Sequence, residues 1–323
     1  MDWQEQFLRL YTSKSLEDFS KALELKREHI PQKLYRYRAI TDGNMKHRVN
    51  EIVHGELFLS HPKDFNDPFE VCSMLHNTRP GSYFHTMDLF KELFKDKMPP
   101  EVFESIFAKD DFFEALAEYV AEKSGPSEKV KETKDVLLQV SLDGIKAVKF
   151  GADNMFRSMI RFACFSTTPD NLPMWHHYTN GHTEICLEFD TSQITNPYQI
   201  NKLFPVNYVD KLPDIIHIIA EDTHSKFSIP TFQAIHKLKD WRYENEWRLI
   251  YEAGSFYYSI DDVPKDFWNN GKSVEFVRPS KIILGLRISA THEETIRKIA
   301  NQCGIPVTKA ECTAFGIRTD TNI

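Results

Sequence analysis

Apolar positions between residues 3 and 28 return every three or four residues, which predicts one or two amphipathic helices ending before Pro31. The rhythm then changes to strict alternation. In KLYRYR (33–38), Leu34, Arg36 and Arg38 fall on one side and Tyr35 and Tyr37 on the other, the signature of a short strand. A helix is expected around 43–54, closed by Gly55, where a left-handed backbone costs glycine little. ELFLS (56–60) reads as a strand that runs into the turn-rich HPKDFNDPFE. From 80 to 158 Phe and Leu recur at helical spacing among many charges, which predicts three or four helices with a break at Ser124-Gly125-Pro126. This stretch has the texture of a helical insertion or lid.

After it, strand patterns dominate. RFACFS (161–166), EICLEFD (184–190), FPVNYV (204–209), WRYENEWRLIYEA (241–253), FYYSI, SVEFV and KIILGL are the expected strands. NLPMWHHY reads as a short helix and 211–238 as mostly helical. THEETIRKIANQCG is a helix with a capping box at Thr291 and Glu294, and with Gly304 just past its end. IPVTKA and TAFGIRT close the chain as strands. Helices and strands do not alternate regularly, so the expected class is α+β, with a mixed or antiparallel central sheet and flanking helices. The expectation is a single domain over 1–323, with 80–158 inserted in it.

Composition narrows the function. With 41% hydrophobic residues in 323, the chain has ample material for a core. No apolar run approaches the roughly 18 residues of a membrane helix, and the N-terminus lacks a signal-peptide pattern, so a cytoplasmic protein with no membrane partner is expected. Five cysteines without a CxxC pair point to neither a zinc ribbon nor a disulfide framework. A net charge of -7 argues against a surface that grips nucleic acid throughout. Neither GxGxxG nor GxxxxGK[ST] occurs, which sets Rossmann and P-loop chemistry aside. The local exception to the acidic balance is 33–48, where Lys33, Arg36, Arg38, Lys46 and Arg48 accompany Asp42 alone.

Four short motifs carry the polar chemistry. Tyr35-Arg36-Tyr37-Arg38 places two guanidinium forks on one strand face, which suits a diphosphate as well as a solvated basic edge. FNDPFE (65–70) makes a turn through Asn66, Asp67 and Pro68, and its Asp67 and Glu70 are also a candidate acid pair. The stretch from Cys164 to Asp190 gathers Ser166, Thr167, Thr168, Trp175, His176, His177, Tyr178 and His182. A helix cap accounts for part of its hydroxyls, and no HExxH spacing favours a metal. WRYENEWRLIY (241–251), read as a strand, turns Glu244, Glu246 and Arg248 to one side. Its aromatic flanks imply that this side is covered, where a carboxylate beside an arginine marks either a site or a structural ion pair.

Together LYRYR, GELFLSHPKDFNDPFE, CFSTTPDNLPMWHHY, CLEFD, WRYENEWRLI and IILG, over about residues 33–288, resemble a prokaryotic family catalogued as domain of unknown function twenty-nine seventy-one. That resemblance implies no particular activity. The layout is also similar to NAD-dependent ADP-ribosyltransferases: a basic first strand, a helix closed by Gly, F-x-S-T-T, and a late E-x-E. This second resemblance implies NAD as substrate, anchored by Arg36 or Arg38, with Ser166 and Thr167 propping the site. Glu246 would bond the ribose, Glu244 would orient an acceptor, and Trp175 or Tyr178 would pack on nicotinamide. His182 joins the cofactor-binding candidates, and Asn66, Asp67 and Arg248 are further candidates for the pocket.

Three readings follow. The first is an enzyme that uses NAD, transferring ADP-ribose to an acceptor protein or nucleic acid or hydrolysing NAD, by analogy a toxin or anti-phage effector. The second is a metal-dependent nuclease or hydrolase built on Asp67, Glu70, His182 and Glu246. The third is a module that binds a nucleotide-type small molecule or a nucleic-acid end through Arg36 and Arg38 without catalysis.

Overall fold

The structure, a computed structural model, describes residues 2–13, 15–41, 43–72, 95–109, 112–123, 149–213, 228–255, 267–268 and 270–319, with 135, 136, 139 and 146. The chain divides into two compact units: Met1–Val71, Arg157–Asp210 and Lys226–Ile323 in the first, Cys72–Phe156 and Lys211–Ser225 in the second. Within the second, α4 (Pro100–Phe107) and α5 (Phe112–Lys123) bury Met98, Ile106, Phe107 and Leu116 together. The expected break at 124–126 and most of the other helices expected over 80–158 lie outside the described residues.

The first unit is an α+β fold around a mixed sheet. Its elements before the insertion are α1 (Trp3–Tyr11), α2 (Leu16–Glu28), β1 (Lys33–Arg38), α3 (Met45–His54) and β2 (Glu56–Leu59). After it come β3 (Ile160–Ser166), α6 (Leu172–Tyr178), β4 (Ile185–Asp190), α7 (Pro197–Lys202), β5 (Leu203–Pro205), β6 (Asn207–Val209), α8 (Ile229–Ala234), β7 (His236–Leu238) and β8 (Glu246–Glu252). The chain ends with β9 (Lys272–Glu275), β10 (Lys281–Leu284), α9 (Ala290–Cys303), β11 (Val307–Lys309), β12 (Glu311–Thr313) and β13 (Gly316–Arg318). The seven-stranded sheet runs β11-β10-β4-β1-β3-β8-β5. Its pairs are antiparallel except β10 with β11.

The alternation read in KLYRYR is what the sheet uses. Leu34 joins Phe165, Leu187, Trp247 and Leu249 in the larger core, which α3, α9 and β2 cover through Ile52, Ile296 and Leu57. Tyr35 and Tyr37 lie on the opposite face with Cys186, Ile283 and, from α6, Met174 and Trp175. Each such apolar side chain removed from water contributes about 1.5–3 kcal/mol, so the register is strongly held. Gly55 closes α3 at φ 65°, and a Cβ there would meet the Phe276 carbonyl at 2.3 Å. Gly304 closes α9 in the same left-handed way.

Several expectations are corrected. WRYENEWRLIYEA is not one strand: Lys239–Glu244 is a 3-10 helix, Asn245 takes a left-handed turn at φ 45°, and β8 begins at Glu246. Asparagine tolerates that conformation because its short side chain bonds locally, and a strand pattern gives no warning of it. FPVNYV breaks at Val206 into β5 and β6, which belong to different sheets. The mostly helical 211–238 ends in β7, while 214–227, like FYYSI, lies outside the described residues. The cap of α9 is Ser289, which accepts from the His292 amide, two residues ahead of Thr291. Asn171 caps α6 by accepting from the Met174 amide.

Candidate functional site

β1 and β3 touch at one point, Tyr35 opposite Ser166, whereas β1 and β4 pair along all six residues of β1. Where β3 draws away, Ser60 pairs with Phe162 in both directions, at 2.9 and 3.2 Å. A cavity of about 100 Å³ lies along this parting. Its wall takes Arg36, Tyr37 and Arg38 from β1, Cys164 and Ser166 from β3, Tyr178 from α6, and Lys237, Glu244 and Glu246.

A chain of polar contacts runs from the exposed Asn66 into this wall and on to the buried Arg248. The Asn66 amide donates to the Tyr178 hydroxyl at 3.3 Å, and that hydroxyl donates to Glu244 Oε1 at 2.5 Å. Lys237 Nζ donates to Glu244 Oε2 at 2.5 Å and to Glu246 Oε2 at 3.3 Å. Glu246 takes a two-point contact from Arg248, Nε to Oε1 and NH2 to Oε2, both at 2.9 Å. The far side of the same guanidinium grips Glu70 at 2.5 and 2.9 Å, and NH1 also donates to the Ala234 carbonyl. Glu70 is set by the turn at Asp67, whose Oδ1 accepts from the Phe69 amide at 2.9 Å. Val71, buried at φ 50°, follows it in a backbone region that β-branched residues avoid.

The electrostatics separate the two glutamates. Burial pushes Glu244 up, and the charge of Glu246 adds to this against Lys237 and Tyr178, so its pKa rises from the ordinary 4.5 to about 7. Burial also acts on Glu246, but Arg248 and Lys237 outweigh it and hold the carboxyl down, at about 2. Burial pulls Lys237 down, yet Glu246, Glu70 and Glu244 prevail and keep its ammonium charged. The thiol of Cys164 is raised by burial and then by Glu246, to which it donates. Glu246 therefore receives Arg248 Nε, Arg248 NH2, Lys237 and Cys164, which fills a carboxylate's roughly four lone-pair positions. Glu244 receives Tyr178 and Lys237 and keeps acceptor capacity.

Of the residues singled out in the sequence, Arg36, Arg38, Ser166, Tyr178, Glu244 and Glu246 share the wall. Asn66 and Arg248 stand one contact behind it. Four are placed elsewhere: Trp175, Thr167, His182 and Asp67. Trp175 is fully buried, with its indole N–H on the Pro169 carbonyl and its ring edge-on to Tyr37, so it is core. Thr167 ties its backbone amide to the Asn245 carbonyl. His182 takes a left-handed turn after α6 and stacks on Trp175. Asp67 serves its turn. The metal-dependent alternative needs Asp67, Glu70, His182 and Glu246 side by side, but Arg248 lies between Glu70 and Glu246. Among the described residues no three His, Cys, Asp or Glu are placed to hold a metal ion. Among those residues, no helix is long and apolar enough to cross a membrane.

Sequence reasoning missed Lys237 and Glu51. Lys237 sits in HKLKDW, which carries no motif, and its role appears only when β7 meets the turn before β8. Glu51, on α3, accepts from Arg36 NH1 at 2.7 Å and Arg48 NH1 at 2.5 Å, and a helical carboxylate three residues after an arginine looks like an ordinary surface pair. No curated protein and no solved structure matches the chain. Residues 174–249, the stretch that holds Tyr178, Lys237, Glu244, Glu246 and Arg248, match the family model described as Protein of unknown function (DUF2971).

Proposed function

We propose that the cavity is the active site of an enzyme acting on a nucleotide-type substrate, with NAD the candidate and Glu244 the acid–base group. One observation carries this: two buried carboxyls share a cavity wall and one ammonium, and burial pushes Glu244 up to about 7 while Arg248 and Lys237 hold Glu246 down. Pairs of carboxyl groups pushed apart in this way divide acid–base and electrostatic work between them. The resemblance to ADP-ribosyltransferases implies the leading role for Glu246. Its filled lone pairs favour Glu244 instead, with Glu246 the fixed anion that orders Lys237 and sets its neighbour.

In this reading the bond between ribose C1′ and the nicotinamide nitrogen breaks, its electron pair leaving on nitrogen. Positive charge grows on the ribose, and the carboxylates stabilise it more than they stabilise the ground state. Water or an acceptor group bonds to C1′ and gives its proton to Glu244. The cavity, about 100 Å³, has both carboxylates on its wall beside Lys237. Transfer to a protein or nucleic acid, and an effector role against phage, belong to this same reading.

The test is nicotinamide release from NAD by the purified protein, alone and in lysate with added nucleic acid, beside Glu244→Gln. Release that the substitution abolishes supports the reading, and silence in every condition sinks it. A second reading, binding without turnover, is favoured by the closed set Glu70–Arg248–Glu246, which explains Glu246 as structure alone. Saturable nucleotide binding with no product is its signature.

A further inference from the structure

Three arginines converge on one carboxylate behind the cavity's other wall. Glu51 accepts from Arg36 NH1 at 2.7 Å and Arg48 NH1 at 2.5 Å, and Arg38 Nε lies 3.5 Å from its Oε2. Arg36 and Glu51 are 3% and 1% exposed and Arg48 is buried, so bulk water does not screen the excess of positive charge. Compensation is incomplete. The Phe58 carbonyl accepts a long bond of 3.4 Å from Arg36, whose guanidinium stands 5.4 Å from the Phe165 ring centre. Arg36 Nε, Arg38 Nε and NH2, and Arg48 Nε are buried without a hydrogen-bond partner among the described residues. Burial pulls the Arg36 guanidinium below its ordinary pKa, Glu51 opposes this, and Arg48 pulls further in the same direction.

Orphaned donors on buried cations are costly to keep, because each loses its hydrogen bonds to water without a replacement. A bound anion would supply the missing acceptors. Guanidinium forks match phosphate oxygens in pairs, and two of these forks, Arg36 and Arg38, belong to residues of the cavity wall. Arg38 is the most accessible of the three, its side chain 18% exposed, which gives an anion a way in.

We propose that Arg36, Arg38 and Arg48, arranged by Glu51, form a phosphate subsite that takes the phosphate or diphosphate of a nucleotide whose other end reaches Glu244. The phosphate contact stands independently of any turnover, and it rests on the nucleotide reading only for the source of the anion. The subsite explains why one carboxylate organises three cations: Glu51 holds the forks in place and leaves charge over for the ligand.

The test follows thermal stability in phosphate-free buffer at matched ionic strength, titrating inorganic phosphate, inorganic diphosphate, ADP-ribose and adenosine. Wild type is compared with Arg38→Gln and Arg38→Lys, each checked for native circular dichroism. The expected result is concentration-dependent stabilisation by diphosphate and ADP-ribose, none by adenosine, and at least tenfold weaker binding in Arg38→Gln. Arg38→Lys keeps the charge without the fork and is expected to fall between. No response to any phosphate, or a response that Arg38→Gln leaves intact, overturns the subsite. Inorganic phosphate binding as tightly as ADP-ribose overturns the nucleotide as its source. Diphosphate binding without nicotinamide release leaves the subsite standing and removes the enzymatic reading. Nicotinamide release without any anion response does the reverse.

Discussion

Glu244 and Glu246 are joined through the ammonium of Lys237, which lies 2.5 Å from one carboxylate and 3.3 Å from the other. The cation is shared unequally in consequence, because Glu246 also has Arg248 and Glu244 does not. Two like charges around one ammonium in a buried setting cannot both be fully satisfied, and the one with fewer cations takes the proton more readily. The left-handed residue between them, Asn245, makes the arrangement: it ends the 3-10 helix and turns the chain into β8 so that both side chains reach Lys237.

Substituting the two glutamates is therefore expected to give opposite signatures. Glu244→Gln removes the proton-exchanging group but leaves a neutral side chain able to bond Tyr178 and Lys237. Product formation is expected to fall by about 10²–10⁴-fold with the fold intact. Glu246→Gln strips Arg248 and Lys237 of a shared counter-charge in the interior, a loss on the order of 3–5 kcal/mol. Urea denaturation beside a nicotinamide assay separates the two, and an unchanged urea midpoint for Glu246→Gln contradicts its structural assignment.

The two carboxyls also set a pH window for stability. Glu244 has a folded pKa raised from 4.5 to about 7, so the folded state binds the extra proton between these values. Its contribution is complete below about 4.5 and is lost as pH rises through about 7. Glu246 is depressed, so its contribution is present above 4.5 and lost as pH falls toward about 2. Their combined contribution is therefore greatest near pH 4.5 and declines as pH rises toward about 7. Midpoints measured across pH 4–8 are expected to decline on the alkaline side in wild type, and less in Glu244→Gln. Equal slopes for the two proteins refute the assignment.

Much of the frame was legible because burial acts on the same periodicities that the sequence displays. KLYRYR showed both faces of β1, and RFACFS and EICLEFD showed the strands that flank it. Gly55 and Gly304 marked helix ends because glycine is cheap where φ is positive. The site was legible only in part. Glu244 and Glu246 stood out, yet the reason they meet, a left-handed Asn245 in place of a continuous strand, leaves no periodic trace. Lys237 and Glu51 reach their partners through tertiary pairing of elements that share no motif. Trp175 carried the strongest aromatic signal of its segment and went to the core, where a large ring with one polar edge is satisfied by a single carbonyl.

Gly55 provides a test of the fold alone. An alanine there must adopt φ 65°, at about 1–2 kcal/mol for a non-glycine residue, and its methyl would also press on the Phe276 carbonyl. Because β2 and β9 pair immediately beyond this point, the carbonyl has little room to move. Gly55→Ala is expected to destabilise by at least about 2 kcal/mol. An urea midpoint equal to wild type would show that the end of α3 relaxes more freely than its packing implies.

Tyr178→Phe separates the proton chemistry from the packing. The ring stays, while the hydroxyl that donates to Glu244 Oε1 and accepts from Asn66 is lost. That donated bond favours the ionised carboxylate and opposes the upward push of burial, so without it the Glu244 pKa moves above its present value near 7. The rate of a step that needs ionised Glu244 then rises at a higher pH than in wild type, and converges with it under alkaline conditions. A merely structural hydroxyl would lower the rate equally at every pH. The pH profile of nicotinamide release, or the midpoint of the Glu244 carboxyl carbon followed by NMR through a titration, distinguishes the two. A midpoint that stays put or moves down contradicts the hydrogen-bond account of Glu244.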